Sequence, residues 1–327
     1  MPPFQALRLH AAAPEPERRL ETVELEALSP GNVVIEVAWS SINYKDALAS
    51  RGRNGIVRVF PRIGGIDLAG VVASSADARF SPGDEVVVHG FGIGVDHDGG
   101  HAEVARVPGD WVLRVPTGLS LFEAATIGAA GYTAGLSLHL MELNGLTPER
   151  GPVVVTGATG GVASVAIDML AGRGYEVVAM SGKADAHAYL RSLGASEVIG
   201  RLDPTAATKP LEKARWSGAV DAVGGATLAW LTRTMQPDGV ITAFGNAGGP
   251  ALETTVLPFI LRGVRLLGVN ANSPMPLRTA VWAKIAGDYR PTHLDAIARV
   301  IGLADLPTAM DRMLEGKTSG RTVVRMR

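Results

Sequence analysis

Val153-Val154-Val155-Thr156-Gly157-Ala158-Thr159-Gly160-Gly161-Val162-Ala163 is the stretch that decides the fold. Its β-branched start predicts a buried strand, its glycines predict a tight turn, and the small and apolar residues 164–170 that follow predict a helix. Glycine in such a turn lets the backbone approach a pyrophosphate, which the free N–H groups and partial positive charge of the helix N-terminus then hold. Against the G-x-G-x-x-G/A spacing, Ala158 stands at the first glycine, Gly160 at the second and Ala163 at the third. The competing reading is a glycine-rich turn that binds nothing, and the chain on either side tells against it.

Downstream, strands predicted at residues 176–180, 197–199, 219–223 and 240–244 alternate with helices, the rhythm of a doubly wound parallel sheet. Upstream, short strands dominate: residues 33–38, residues 70–73, and residues 85–89 after the turn Ser81-Pro82-Gly83-Asp84. A small-residue helix over 121–143 separates the two patterns. After Pro258 come an apolar strand at 264–269, an amphipathic stretch around 280–285, and the strand-like Thr322-Val323-Val324, which is expected to return to the β-rich part. A chain of 327 residues suits two domains. The expected division is α/β: a β-rich domain from residues 1–120 and 271–327, and a Rossmann domain from residues 121–270.

The end of the second Rossmann strand distinguishes the two nicotinamide cofactors. An NAD site carries a carboxylate there for the ribose 2′-OH. Here the strand runs into Met180-Ser181-Gly182-Lys183, a hydroxyl and an ammonium suited to a 2′-phosphate, and Arg201 past the third strand adds a second cation. NADPH is therefore the expected cofactor, with Lys183 as an ordinary solvated lysine the alternative.

Composition narrows the partners. Hydrophobic residues make up 46% and charged residues 19%, and 31 basic against 32 acidic side chains leave a net charge of -1. No global field draws the chain to nucleic acid or an anionic membrane, so a small-molecule partner is expected. No run of 18 uncharged apolar residues occurs and the N-terminal residues lack a signal-peptide pattern, which points to the cytoplasm. There is no cysteine, which excludes thiolate nucleophiles and every zinc site built on Cys. His97 and His101 are four apart in a glycine-rich segment rather than on a helix, so no metal site is expected.

Five stretches carry a sharper resemblance. They are Trp39-Ser40-Ser41-Ile42-Asn43-Tyr44-Lys45-Asp46-Ala47-Leu48, Phe60-Pro61-Arg62-Ile63-Gly64-Gly65-Ile66-Asp67-Leu68-Ala69-Gly70, Gly109-Asp110-Trp111, Gly128-Ala129-Ala130-Gly131-Tyr132-Thr133-Ala134, and Leu257-Pro258-Phe259-Ile260-Leu261-Arg262. The chain resembles the zinc-free quinone oxidoreductase branch of the medium-chain dehydrogenase/reductase superfamily, and within it the acryloyl-coenzyme A reductase subfamily. Where zinc-dependent members place Gly-His-Glu, this chain reads Gly65-Ile66-Asp67. The resemblance implies a GroES-like catalytic domain beside the Rossmann domain. It implies Tyr44 near the nicotinamide, Thr159, Gly160, Gly161 and Val162 on the pyrophosphate, and Ser181, Gly182, Lys183 and Arg201 on the 2′-phosphate. Asn246, Ile260 and Ala271 would lie along the rest of the cofactor. Three departures stand out: Ala163 for a glycine, Lys183 for an arginine, and Asp98 for an aromatic residue that could line the pocket.

The implied chemistry is hydride transfer from NADPH to the β-carbon of an α,β-unsaturated thioester, with protonation at the α-carbon. Asn43, Tyr44 and Asp46 are the polar cluster suited to stabilising the enolate and supplying the proton. In the competing reading Asp46 caps the helix that begins near Ala47 and Tyr44 packs against the cofactor ring. Arg51, Arg53, Arg58 and Arg62, with no acid between Asp46 and Asp67, would suit coenzyme A phosphates or simply a solvated loop. Two other functions stay open: reduction of quinones or enones, and an idle NADPH-binding protein. The apolar strand at 264–269 is expected at a sheet edge, where a homodimer would cover it.

Overall fold

A computed structural model describes residues 1–203 and 209–326. The chain forms two compact units: Met1–Ala130, Asn272–Thr279 and the residues from Leu294 onward make the first, Gly131–Ala271 and Ala280–His293 the second. The C-terminal part thus changes unit more than once, where the sequence suggested a single return at 271.

In the second unit the strands lie in the order Glu197–Ile199, Val177–Met180, Val153–Val155, Trp216–Asp221, Met235–Ala243, Arg265–Gly268, every neighbouring pair parallel. This is the doubly wound order, with Val153–Val155 at the centre and all three valines fully buried. Each expected strand is present. Met235–Ala243 begins five residues before the expected start at 240: Met235 already pairs with Trp216, and Pro237, Asp238 and Gly239, with Asp238 at φ 58°, form an irregularity before the regular pairing resumes at Val240. Arg265–Gly268 is the edge strand.

The first unit is built on a seven-stranded sheet ordered Ala298–Gly302, Arg321–Arg325, Val33–Ile42, Asp67–Ser75, Glu85–His89, Val112–Arg114, with Val104–Val107 pairing to Val33–Ile42. The final strand Arg321–Arg325 lies antiparallel to Val33–Ile42, bringing Thr322 opposite Ile42 and Val323 opposite Ser41. On the other side Ser40 pairs with Leu68, and Asp67 with His89. Alternating residues such as Ile35, Leu68, Val88 and Val324 fill the core, closed by Met310 of the amphipathic helix Leu306–Leu314. A hairpin of Phe4–His10 and Glu17–Val23 forms a smaller sheet with Arg62–Ile63.

The helix over Leu121–Leu143 has the expected bounds. It opens with a capping box in which Glu123 accepts from the Ser120 N–H at 2.8 Å and the Ser120 hydroxyl accepts from the Glu123 N–H at 3.2 Å. Gly128 interrupts it, with φ 47° and ψ −151°. Among the described residues no helix is long and apolar enough to cross a membrane.

Candidate functional site

The strand pairing of the first unit collects a buried polar cluster. Asp67 starts its strand facing Ser41 and Asn43, and its carboxylate accepts from the Ser41 hydroxyl, from Asn43 Nδ2 at 2.9 Å and from the Ala129 N–H at 2.9 Å. The Gly128 kink is what turns that N–H inward: a Cβ on Gly128 would meet Asp67 Oδ2 at 2.5 Å. Arg321, at the start of the last strand, reaches the same carboxylate at 3.5 Å and donates to Asn43 Oδ1 at 3.0 Å and to the Thr126 carbonyl at 2.9 Å. Burial pulls the Arg321 guanidinium below its usual pKa, and the charges of Asp67 and Asp46 oppose that pull.

Asn43 and Asp46 belong to this scaffold. Asp46 is buried, and its carboxylate accepts from the Asn43 N–H at 2.8 Å and from the Ile66 N–H at 2.9 Å. It closes the capping box of the helix Tyr44–Ser50 and ties that helix to the segment before Asp67. Burial raises its carboxyl above the usual range; nearby His101 lowers it, Asp67 raises it further, and the hydrogen bonds from Asn43 lower it. Tyr44 is different: it begins the helix with its side chain about half exposed. Of the three polar residues singled out in the sequence, Tyr44 alone is exposed.

Sequence reasoning did not single out Asp67, Ser41 or Arg321 as a unit. Their sequence separation hides them, since Ser41 and Arg321 meet only through the antiparallel pairing of a strand near each end of the chain. It also missed a second cluster. Arg278, buried, donates to His89, its guanidinium lies 4.2 Å from the centre of the Phe91 ring, and Asn272 Oδ1 accepts from the Phe91 N–H at 2.7 Å. Burial and the Arg278 charge both push the His89 imidazole well below its usual pKa.

The second unit carries the expected nucleotide residues other than Tyr44. The turn at 156–160 leads into the helix Gly161–Gly172 with Gly160 at the N-cap, so Thr159, Gly160, Gly161 and Val162 surround a helix N-terminus. Thr156 and the next strand brace the turn: the Thr156 hydroxyl donates to Asp221 Oδ1 at 2.6 Å, and Asp221 Oδ2 accepts from the Gly224 N–H at 2.8 Å. At the end of Val177–Met180, the Ser181 hydroxyl accepts from the Lys183 N–H at 3.1 Å. Arg201 lies directly over Gly182, where a Cβ would meet its Nε at 2.6 Å. Ser181 and Lys183 thus follow the strand end with the Arg201 guanidinium over Gly182 between them, and no carboxylate is among these residues, a set that fits a 2′-phosphate better than a ribose diol. Asn246 is exposed in the loop after Met235–Ala243, and Ala271 is half-buried after the edge strand. Ile260 is exposed on the short helix Leu257–Arg262, as are Leu261 on the same helix and Val256 at its N-cap.

Other side chains prove to be scaffold. Asp98 is buried, accepting from the Ser29 N–H at 2.8 Å and the Ile63 N–H at 3.0 Å and pairing with Arg62 at 3.3 Å, so it does not present its carboxylate to a pocket. His97 sets its ring nitrogens 3.0 and 2.9 Å from the carbonyls of Asp98 and Pro30, and His101 lies 3.2 Å from the Ser41 carbonyl. Among the described residues, no three His, Cys, Asp or Glu side chains gather as a metal site.

Two family descriptions match parts of the chain. Residues 29–117 match the family "Alcohol dehydrogenase GroES-like domain" and residues 161–286 the family "Zinc-binding dehydrogenase". A Bacillus subtilis protein named as a quinone oxidoreductase, YhfP, is 47% identical over 99% of both chains. An Escherichia coli protein named as an acrylyl-CoA reductase, AcuI, is 44% identical over 99% of this chain and 100% of its own. The crystal structure of the Salmonella enterica oxidoreductase yhdH in complex with NADP superposes with a TM-score of 0.96 at 45% identity, covering 99% of this chain and 100% of that one. Bacillus subtilis yhfP with NAD bound gives 0.96 at 47%, covering 100% of both.

Proposed function

Because the chain belongs to the medium-chain dehydrogenase/reductase superfamily, in the group that holds acrylyl-CoA reductase AcuI and the YhdH and YhfP oxidoreductases, we propose that it is an NADPH-dependent reductase of the carbon–carbon double bond of a short α,β-unsaturated acyl-CoA, converting acryloyl-CoA to propionyl-CoA. The observation that carries the cofactor is Arg201 laid across Gly182 beside Ser181 and Lys183. The full-length likeness to AcuI supports the substrate.

When bound, NADPH supplies the hydride for the β-carbon; the protein holds the reactants, stabilises the enolate oxygen and delivers a proton to the α-carbon. The helix N-terminus at Gly160 and Gly161 takes the pyrophosphate, with Thr159 and Val162 flanking it. Ser181, Gly182, Lys183 and Arg201 take the 2′-phosphate, and Asn246, Ile260 and Ala271 lie along the remainder. Tyr44, the exposed residue of the three, meets the nicotinamide and the thioester, while Asn43 and Asp46 hold the start of its helix in place. Two protomers associate through the edge strand Arg265–Gly268.

The test is NADPH oxidation with acryloyl-CoA and crotonyl-CoA beside a small quinone and a free enone. Preference for acryloyl-CoA by at least tenfold in kcat/KM is expected. Preference for the quinone instead would favour the second reading, which rests on the name of YhfP. NADPH binding with no oxidation by any of the four would leave a non-catalytic binding protein. Lys183→Glu puts a carboxylate at the strand end and is expected to lower the NADPH-to-NADH ratio of kcat/KM by about tenfold or more; an unchanged ratio would overturn the assignment of that site.

A further inference from the structure

From Tyr44 to Ile66 the only acid is Asp46, and both its oxygens accept from backbone N–H groups inside the fold. The arginines of the same segment fall into two classes. Arg51 pairs with Glu15 at 2.6 Å and Asp311 at 2.8 Å, and Arg62 is buried against Asp98 and Ser29. Arg53 and Arg58 are exposed and form no ion pair among the described residues, and the Arg58 guanidinium has one long hydrogen bond, Nε to the Gly55 carbonyl at 3.3 Å. Val59, 65% exposed, adds an apolar surface next to them.

The spacing from the helix start is informative. Tyr44–Ser50 rises about 9 Å along its axis, and Arg53 follows three residues later. The pantetheine arm of coenzyme A, from thioester to diphosphate, has the backbone length of about four extended peptide residues, roughly 14 Å. The arm of an acyl thioester at Tyr44 thus has a length comparable to that of the helix, and Arg53 and Arg58 lie in the segment that follows the helix. With a net charge of -1 the molecule has no general field to collect an anion, so a local pair of uncommitted arginines is the feature that would recognise one.

We propose that Arg53 and Arg58 form a phosphate-recognition subsite for the coenzyme A moiety, with Val59 beneath its pantetheine or adenine. This rests on the enoyl-thioester reading above and deepens it: the acyl group is handled at Tyr44, and the carrier is recognised by a separate, exposed element of the same unit.

The experiment compares acryloyl-CoA with acryloyl-N-acetylcysteamine, the same thioester without phosphates, in the wild type and in Arg53→Ala/Arg58→Ala. Both positions are exposed, so the variant is expected to fold, checked by an unchanged thermal midpoint. The expected result is a rise of about tenfold or more in KM for acryloyl-CoA, kcat within about twofold, and an unchanged kcat/KM for the N-acetylcysteamine thioester. Raising the salt concentration should raise KM for acryloyl-CoA in the wild type and have little effect in the variant. An unchanged KM for acryloyl-CoA, or equal losses on both substrates, overturns the subsite. If the wild type reduces the phosphate-free thioester but shows the same KM for both, the double-bond reading stands and the subsite falls. If it reduces neither, the enoyl-thioester reading itself fails and takes the subsite with it.

Discussion

At the residue scale the buried Asp67–Arg321 pair shows how charge is held inside the first unit. Two ions out of water cost several kcal/mol each, and here three further donors, Ser41, Asn43 and Ala129, satisfy the carboxylate while Thr126 and Asn43 satisfy the guanidinium. Removing one partner leaves the other uncompensated. Arg321→Met is expected to cost about 3–5 kcal/mol in urea denaturation at pH 7; a loss under about 1 kcal/mol would mean that the neutral donors alone suffice for Asp67. Asp46 makes a separate pH prediction. Burial raises its carboxyl above the usual 3.8, so the folded chain holds that proton more tightly than the unfolded chain does. Its contribution to stability is then complete below pH 3.8 and is lost as pH rises through the folded value. Against Asp46→Asn, which does not titrate, the wild type should lose relative stability as pH climbs above 3.8. Parallel stability curves would show that the carboxyl titrates alike in both states. The pairing of Asp67 with Arg321 was not legible in the sequence, because the two residues lie far apart along the chain and meet only through strand pairing.

At the element scale the Rossmann strands were legible, since runs such as Val153-Val154-Val155 can be buried on both faces only at the centre of a parallel sheet. Capping chemistry was partly legible too: one reading had Asp46 capping a helix that begins near Ala47, whereas the helix begins at Tyr44 with Asn43 at the N-cap and Asp46, its third residue, closing the capping box. The break at Gly128 was not, because glycine in an Ala-rich run is compatible with a continuous helix and only the neighbouring Asp67 reveals why the chain must turn there. Gly128→Ala would combine a left-handed φ of 47° with a Cβ 2.5 Å from Asp67 Oδ2. A loss of about 2 kcal/mol or more is expected by chemical denaturation. A neutral effect would mean that the helix can straighten without displacing the Ala129 N–H from Asp67.

At the scale of the whole molecule, the free edge of the six-stranded sheet and the exposed Val256, Ile260 and Leu261 argue for association of two copies. Light scattering after size exclusion is expected to give twice the mass of one chain, and Leu267→Lys on the edge strand to shift it to the monomer; a wild-type monomer at micromolar concentration would end the proposal. The sequence by itself determined the doubly wound sheet, the glycine turn and the cationic end of its second strand, because each is written in adjacent residues and in local periodicity. The tertiary structure decided what became of the polar residues: Asn43, Asp46 and Asp98 went into the scaffold, Arg51 and Arg62 into ion pairs, and Tyr44, Arg53 and Arg58 were left exposed. A polar side chain's role depends on which donors and acceptors long-range strand pairing brings within about 3 Å, and that pairing is not encoded in the side chain's own neighbourhood.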